Sequence, residues 1–271
     1  MNLPTADPGP RPETGAATSD GRDPAGGVNR EGSVRTVRTV GVLAALAMVL
    51  AGGVNLLRYT VQQQDSVEHP LPATITAVQV QSGAGGIRVR PASPGESNGL
   101  RARREWSLVA PTVEVTTRDG LLVVGVDCGP VVSWLGDGCR ADWELVVPAT
   151  TQLLLRASSG DIAISGMASS VTASTSSGDV TVTASSSPNL DLRATSGDVT
   201  ARSRVAPSVL KAASTSGDVE VSVPDDGSRY RVDTRTTSGT VTNLIGTDPG
   251  APRLIEATTT SGDVTLRRAT Q

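Results

Sequence analysis

From residue 152 onward, apolar or small side chains alternate with Thr, Ser, Arg and Asp in short runs, and one tripeptide keeps interrupting them. Leu153, Leu155 and Ala157 stand before the first interruption, and Ile162 and Ile164 after it. The same pattern returns with Val171, Ala173 and Thr175 before Val180 and Val182, with Leu190, Leu192 and Ala194 before Val199 and Ala201, and with Ile255, Ala257 and Thr259 before Val264 and Leu266. Period two is the mark of a β-strand with one buried face. The interruption is SSGDIAI at 158–164, SSGDVTV at 176–182, TSGDVTA at 195–201, TSGDVEV at 215–221, TSGTVTN at 237–243 and TSGDVTL at 260–266. Six copies establish an internal repeat. Its spacing grows from 18 residues, Gly160 to Gly178, to 23 residues, Gly239 to Gly262.

Each unit reads as strand, Ser-Gly-Asp corner, strand, loop. One unit cannot bury its own inward face, whereas successive units stacked about 4.8 Å apart bury it and pair the backbone. The predicted fold class is all-β: a β-solenoid-like stack of the Ser-Gly-Asp-Val repeats. An antiparallel sandwich of regular short strands is the alternative, but sandwich hairpins have no reason to share one turn sequence. The corner glycines Gly160, Gly178, Gly197, Gly217, Gly239 and Gly262 are expected to provide a positive φ or a close corner that a Cβ would block.

Upstream, ATITAVQVQ (73–81) alternates in the same way, PTVEVTTRDGLLVVGVDC reads as two strands joined at Arg118-Asp119-Gly120, and DWELVVPA as another. The extracytoplasmic repeat β-domain is therefore placed at 74–271. Residues 1–38 are a polar tail rich in Pro, Gly, Asp and Thr, predicted to be disordered and cytoplasmic. Residues 39–57, TVGVLAALAMVLAGGVNLL, carry no charge and are bounded by Arg38 and Arg58. As a helix they would span about 28 Å, close to the hydrocarbon thickness. A single transmembrane helix is expected there, with residues 58–73 as a linker. Arg30, Arg35 and Arg38 place the N-terminus in the cytoplasm and the C-terminal domain outside. A cleaved signal peptide competes with the anchor, because Ala51-Gly52-Gly53 offers small residues to a peptidase.

Composition narrows the chemistry. The chain has 271 residues, no Phe, three Trp and two Tyr, so its core must use Val, Leu, Ile and Ala. A net charge of −3 and the lack of a basic footprint exclude nucleic acid as an expected partner. Cys128 and Cys139 bound a short Gly- and Pro-containing loop. In an exported domain a disulfide is expected, stabilising by about 2–3 kcal/mol; free, buried thiols are the alternative. His69 is the only histidine, and its place in the linker removes His-dependent catalysis and His-containing metal sites from the β-domain. No phosphate-binding or dinucleotide motif occurs, and no cofactor is expected. Arg101, Arg103 and Arg104 could touch anionic envelope polymers or simply be a solvated strand. Trp106, Trp134 and Trp143 could stack on sugars or pack over an end of the stack.

The corner carboxylates Asp161, Asp179, Asp198, Asp218 and Asp263 would lie in one row, with Thr240 breaking the run. Two answers to their repulsion stay open: each accepts local backbone N–H groups in an Asx-type turn, or cations such as Ca²⁺ bridge the row.

With the repeat, the Val147–Thr150 V-P-A-T segment and the Cys-x10-Cys loop in view, the chain resembles the DUF4097 family of candidate adhesins, bacterial β-solenoid proteins, over roughly residues 74–271. A first corner of that type is eroded here as Ser82-Gly83-Ala84-Gly85-Gly86-Ile87. The resemblance implies an extracytoplasmic β-domain linked to adhesion or envelope stress, and brings no catalytic residues with it. The expected function is a non-enzymatic, membrane-anchored envelope protein that presents an interaction surface to a glycan or protein. The alternatives are an accessory or sensor of envelope-stress signalling, and a carbohydrate-active enzyme on a β-helix scaffold.

Overall fold

The computed structural model of the chain describes residues 40–49, 52, 63–106, 110–127 and 140–269. Two compact units divide it at Val54 and Asn55. In the first, residues 40–49 form one helix, α1, whose Val40, Leu43, Leu46 and Met48 side chains are exposed. Among the described residues no helix is long and apolar enough to cross a membrane. Most of the rest of the apolar run 39–57 lies outside the described residues, as do residues 1–38 and both Cys128 and Cys139, so the expected tail and disulfide cannot be placed.

The second unit is all β, and most of its strands come in pairs that meet at a corner. These pairs, here called rungs, are β2 (Ala77–Ala84) with β3 (Ile87–Pro91), β8 (Gln152–Ser159) with β9 (Ile162–Ser165), and β10 (Val171–Ser177) with β11 (Val180–Ser185). They continue with β12 (Asn189–Ser196) and β13 (Val199–Ser203), β14 (Val209–Ser216) and β15 (Val219–Pro224), β16 (Tyr230–Arg235) and β17 (Val241–Asn243), and β18 (Arg253–Thr258) and β19 (Val264–Ala269). One further rung joins β6 (Leu121–Asp127) to β7 (Arg140–Val147) across residues 128–139. Three strands stand outside this scheme: β1 (Gln63–Pro70), β4 (Gly99–Trp106) and β5 (Thr112–Arg118).

First strands of the rungs build one sheet, in the order β5-β6-β2-β8-β10-β12-β14-β18-β16, and second strands build the other, β1-β4-β7-β3-β9-β11-β13-β15-β19-β17. Rung pairs with rung in parallel throughout, which removes the antiparallel sandwich. Only the N-terminal end is antiparallel, through β1–β4, β4–β7 and β5–β6. The predicted turn closes the β5–β6 hairpin with Asp119 at φ 51° and Gly120 at φ 79°, the two positive values that such a two-residue turn needs.

Two expectations are corrected. The rungs do not stack in chain order: at the C-terminal end the last rung, β18/β19, sits between β14/β15 and β16/β17, and at the N-terminal end β2/β3 sits between β6/β7 and β8/β9. Residues 63–70, read as part of a linker, form β1, an exposed edge strand held to β4 over its whole length. Its sequence shows no apolar alternation because it buries almost nothing. Backbone pairing with β4 holds it instead, and cross-strand ion pairs accompany it, Arg101 with Glu68 at 2.7 Å and Arg104 with Asp65 at 2.6 Å.

The core lies between the sheets and consists of in-register apolar rows. Leu153, Val171, Leu190, Leu210 and Ile255 form one; Ile162, Val180, Val199, Val219 and Val264 form another across from it. All ten are buried, each contributing on the order of 1.5–3 kcal/mol. The largest buried side chains lie towards the ends: Trp143 on β7 and Tyr230 on β16. These aromatics fill the core where the repeat runs out, as expected for Trp143.

Candidate interaction surface along the corner ridge

A chain that turns a corner inside a stack of strands must still find partners for its backbone groups. Two ladder bonds survive the turn. The corner Gly N–H donates to the Ser carbonyl of the next rung, as Gly178 to Ser196 at 2.9 Å, and the residue after Asp donates to the next Asp carbonyl, as Val180 to Asp198 at 2.9 Å. The Asp N–H and the Gly carbonyl fall outside this ladder, and side chains take most of them.

The carboxylates take the N–H groups. Asp161 Oδ1 accepts from the Asp179 N–H at 3.0 Å, Asp179 from Asp198 at 2.8 Å, Asp198 from Asp218 at 2.8 Å, Asp218 from Asp263 at 2.8 Å, and Asp263 from Thr240 at 2.7 Å. Hydroxyls take the carbonyls: Thr175 donates to Gly160 O at 3.1 Å, Ser214 to Gly197 O at 2.8 Å, Thr259 to Gly217 O at 2.9 Å and Thr236 to Gly262 O at 3.0 Å. The Asp row is therefore an inter-rung backbone clamp. The local Asx-type turn expected from the sequence is corrected to a bond with the neighbouring rung. Thr240 does not break the run either. It occupies the terminal rung, beyond which no N–H awaits a carboxylate. Among the described residues no three His, Cys, Asp or Glu side chains converge on a metal-sized site.

The glycines are required by contact. A Cβ on Gly197 would lie 2.0 Å from the Gly178 carbonyl oxygen at φ +139°, and the same clash recurs at Gly160, Gly178, Gly217, Gly239 and Gly262. Two further members join these rows: Gly85, inside the eroded first corner read from the sequence, and Asp142, which the sequence reading missed. Gly85, at φ +116°, is the corner glycine of β2/β3, stacked on Ala141. Asp142, at the start of β7, supplies the first carboxylate, accepting the Gly86 N–H at 2.7 Å. Register places both in the rows, since Ile87 pairs with both Trp143 and Ile162.

Outward from this frame runs a ridge of exposed hydroxyls, Ser158, Ser176, Thr195 and Thr215, each followed by the corner serine. A groove flanks it on each side. On the first-strand side the groove has a volume of about 810 Å³ and includes Gln81, Arg156, Ser174 and Arg193. On the second-strand side one of about 580 Å³ is lined by Asp142, Asp161 and Asp179 together with Arg88 and Arg140.

A third cleft, about 340 Å³, lies at the N-terminal end and holds His69 with Glu68, Arg90, Glu96, Ser97 and Glu144. His69 thus belongs to the β-domain, which corrects its assignment to a linker. Its Nε2 is buried without a hydrogen-bond partner. The carboxylates around it are engaged. Arg90 grips Glu96 through two bonds, at 2.8 and 2.6 Å, and holds its carboxyl down at about 2, so Glu96 stays ionised at neutral pH and cannot serve as a general acid. Arg101 binds Glu68 and lies 3.9 Å from Glu144. Of the basic cluster, Arg104 also donates to the Pro111 carbonyl and lies over the Trp106 ring at 5.5 Å.

The family described as Toastrack DUF4097 matches residues 67–267 of the chain. Similar solved structures include a candidate adhesin from Bacteroides fragilis NCTC 9343, at 13% identity over 76% of this chain and 97% of that one, with a TM-score of 0.46. A candidate cell adhesion protein from Clostridium sporogenes ATCC 15579 is 9% identical over 76% of this chain and 100% of that one, TM-score 0.45. A candidate adhesin from Parabacteroides distasonis ATCC 8503 is 9% identical over 76% and 97%, TM-score 0.36. No curated protein matches.

Proposed function

Because the chain belongs to the Toastrack DUF4097 family, we propose that it is a non-enzymatic envelope protein, anchored by the apolar run 39–57, whose solenoid-like β-domain presents an adhesin-like interaction surface outside the membrane. One observation carries the non-enzymatic reading. The carboxylates that recur through the repeat are each engaged with a backbone N–H of the next rung, so they serve the architecture. What recurs outside them is an unbroken ridge of hydroxyls between two open grooves, a surface suited to binding an extended molecule. Regular stacking of small units yields such extended surfaces.

The anchor is supported by the charge-free span of residues 39–57 and the arginines preceding it. The test is fractionation of cells that express the full chain with a C-terminal tag. The protein is expected to stay with membranes after alkaline extraction, and the tag to be lost when intact cells are treated with protease. A tag that survives protease until the cells are lysed would reverse the orientation. Release by alkaline extraction would remove the anchor.

A further inference from the structure

The two grooves beside the ridge differ in sign. The second-strand groove carries three carboxylates, whereas no Asp or Glu lines the first-strand groove. In a chain whose acidic residues outnumber its basic ones, 27 to 24, a long groove without a carboxylate is a local departure that bears on what can occupy it.

Strand register places Gln81, Arg156, Ser174 and Arg193 side by side on four adjacent rungs. Side chains at one register position share a face, so an amide, a guanidinium, a hydroxyl and a second guanidinium follow one another along roughly 14 Å. All four can donate. Arg156 has no hydrogen bond or ion pair among the described residues. Arg193 is held in place by Asp191, which accepts from its Nε at 2.9 Å and its Nη2 at 3.2 Å. That two-point grip fixes the guanidinium plane and leaves Nη1 for an incoming group, so less order is lost on binding.

The groove floor is the strand backbone at Ser82, Ala157, Thr175, Ala194 and Ser214, whose own side chains are buried on the opposite face. It offers no recess for an apolar side chain, and its far wall is the hydroxyl ridge. Such a trough suits flat, hydroxyl-bearing rings better than a peptide.

We propose that this groove binds an acidic polysaccharide of the uronate class, with Arg156 and Arg193 taking carboxylates about two rungs apart and the Ser/Thr ridge meeting sugar hydroxyls. This assignment rests on the interaction function proposed above and names its ligand. Asp191 is a positioning residue for Arg193.

The test uses the full chain in detergent. Retention is measured on immobilised polyglucuronate, on the same polymer with its carboxylates reduced to alcohols, and on a crude envelope preparation. Wild type is expected to bind polyglucuronate and not the reduced polymer, and to lose binding as salt rises. The double variant Arg156→Glu/Arg193→Glu is expected to bind roughly 10-fold or more weakly, with an unchanged melting temperature as evidence of folding. A variant of the other groove, Arg88→Glu/Arg140→Glu, is expected to bind like wild type. Retention of the envelope preparation without polyglucuronate, or undiminished binding by the Arg156/Arg193 variant, overturns the groove assignment while leaving an interaction module. Equal binding of the reduced polymer and polyglucuronate overturns the uronate class. Retention of none of the three overturns both readings.

Discussion

Asp263 Oδ1 accepts a hydrogen bond from the backbone N–H of Thr240 at 2.7 Å, so the carboxylate row takes its final step backwards along the chain. The last repeat in sequence is the last but one in space, and the copy without a carboxylate is the one that needs none. A similar inversion at the other end tucks β2/β3 inside β6/β7. Both ends of the stacked chain are thereby held between neighbours.

Truncation tests this order. If β18/β19 were a terminal unit, ending the chain after Gly250 would only shorten the stack. Here it removes the sole neighbouring rung of β16/β17 and uncovers β14/β15. The truncated protein is expected to lose cooperative thermal unfolding by circular dichroism and to aggregate on size exclusion. A truncated domain that melts within a few degrees of the full chain would show that the inserted rung is dispensable.

The glycine row sets a graded prediction. Gly197→Ala places a Cβ 2.0 Å from a backbone carbonyl in a region that disfavours side chains. It is expected to destabilise by about 3 kcal/mol or more in urea unfolding. Gly227→Ala has a positive φ but nothing within 4 Å, and should cost about 1 kcal/mol. Equal effects would mean that contact between rungs is not what selects the corner glycine.

The carboxylate row acts as a hydrogen-bond acceptor. Asp198→Ala leaves the Asp218 N–H without its acceptor and is expected to cost about 1–2 kcal/mol. Asp198→Asn retains an oxygen there and should cost less. Because a backbone N–H already takes Oδ1 of each carboxylate, and no three acidic or other ligand side chains converge among the described residues, adding Ca²⁺ or a chelator should leave the melting temperature unchanged. A rise of several degrees with Ca²⁺ would make the row a cation site after all.

Tyr230 gives a pH signature. Burial pushes its phenol up to about 12, with Asp226 adding in the same direction, and its hydroxyl has no hydrogen-bond partner among the described residues. The folded state resists ionisation that the unfolded chain undergoes near 10. The associated stability is therefore present below pH 10 and declines between about 10 and 12. Tyr230→Phe should match wild type at pH 7 and melt higher at pH 11. Parallel losses in both proteins would place the alkaline transition elsewhere.

Local pattern was enough to place the repeat strands, their corners and the inward rows. These depend on local period and on a glycine that a close carbonyl contact demands, and both leave a trace in every copy. The turn at Asp119-Gly120 was legible for the same reason, since two residues fix it.

Only the tertiary structure decided what the corner residues touch. Each Asp bonds a residue on the neighbouring rung, 18 to 45 positions away in the chain, and nothing local distinguishes that from a self-contained turn. Asp142 joins the carboxylate row by register, without the motif around it. β1 carried no apolar alternation because its pairing with β4 leaves it at an exposed edge with no buried face. The order of the rungs was undetermined because identical inward faces satisfy any neighbour; Thr240 and the longer spacings around it were the sole hints. The proposed groove likewise exists only once stacking brings Arg156 and Arg193, from different repeats, onto one face.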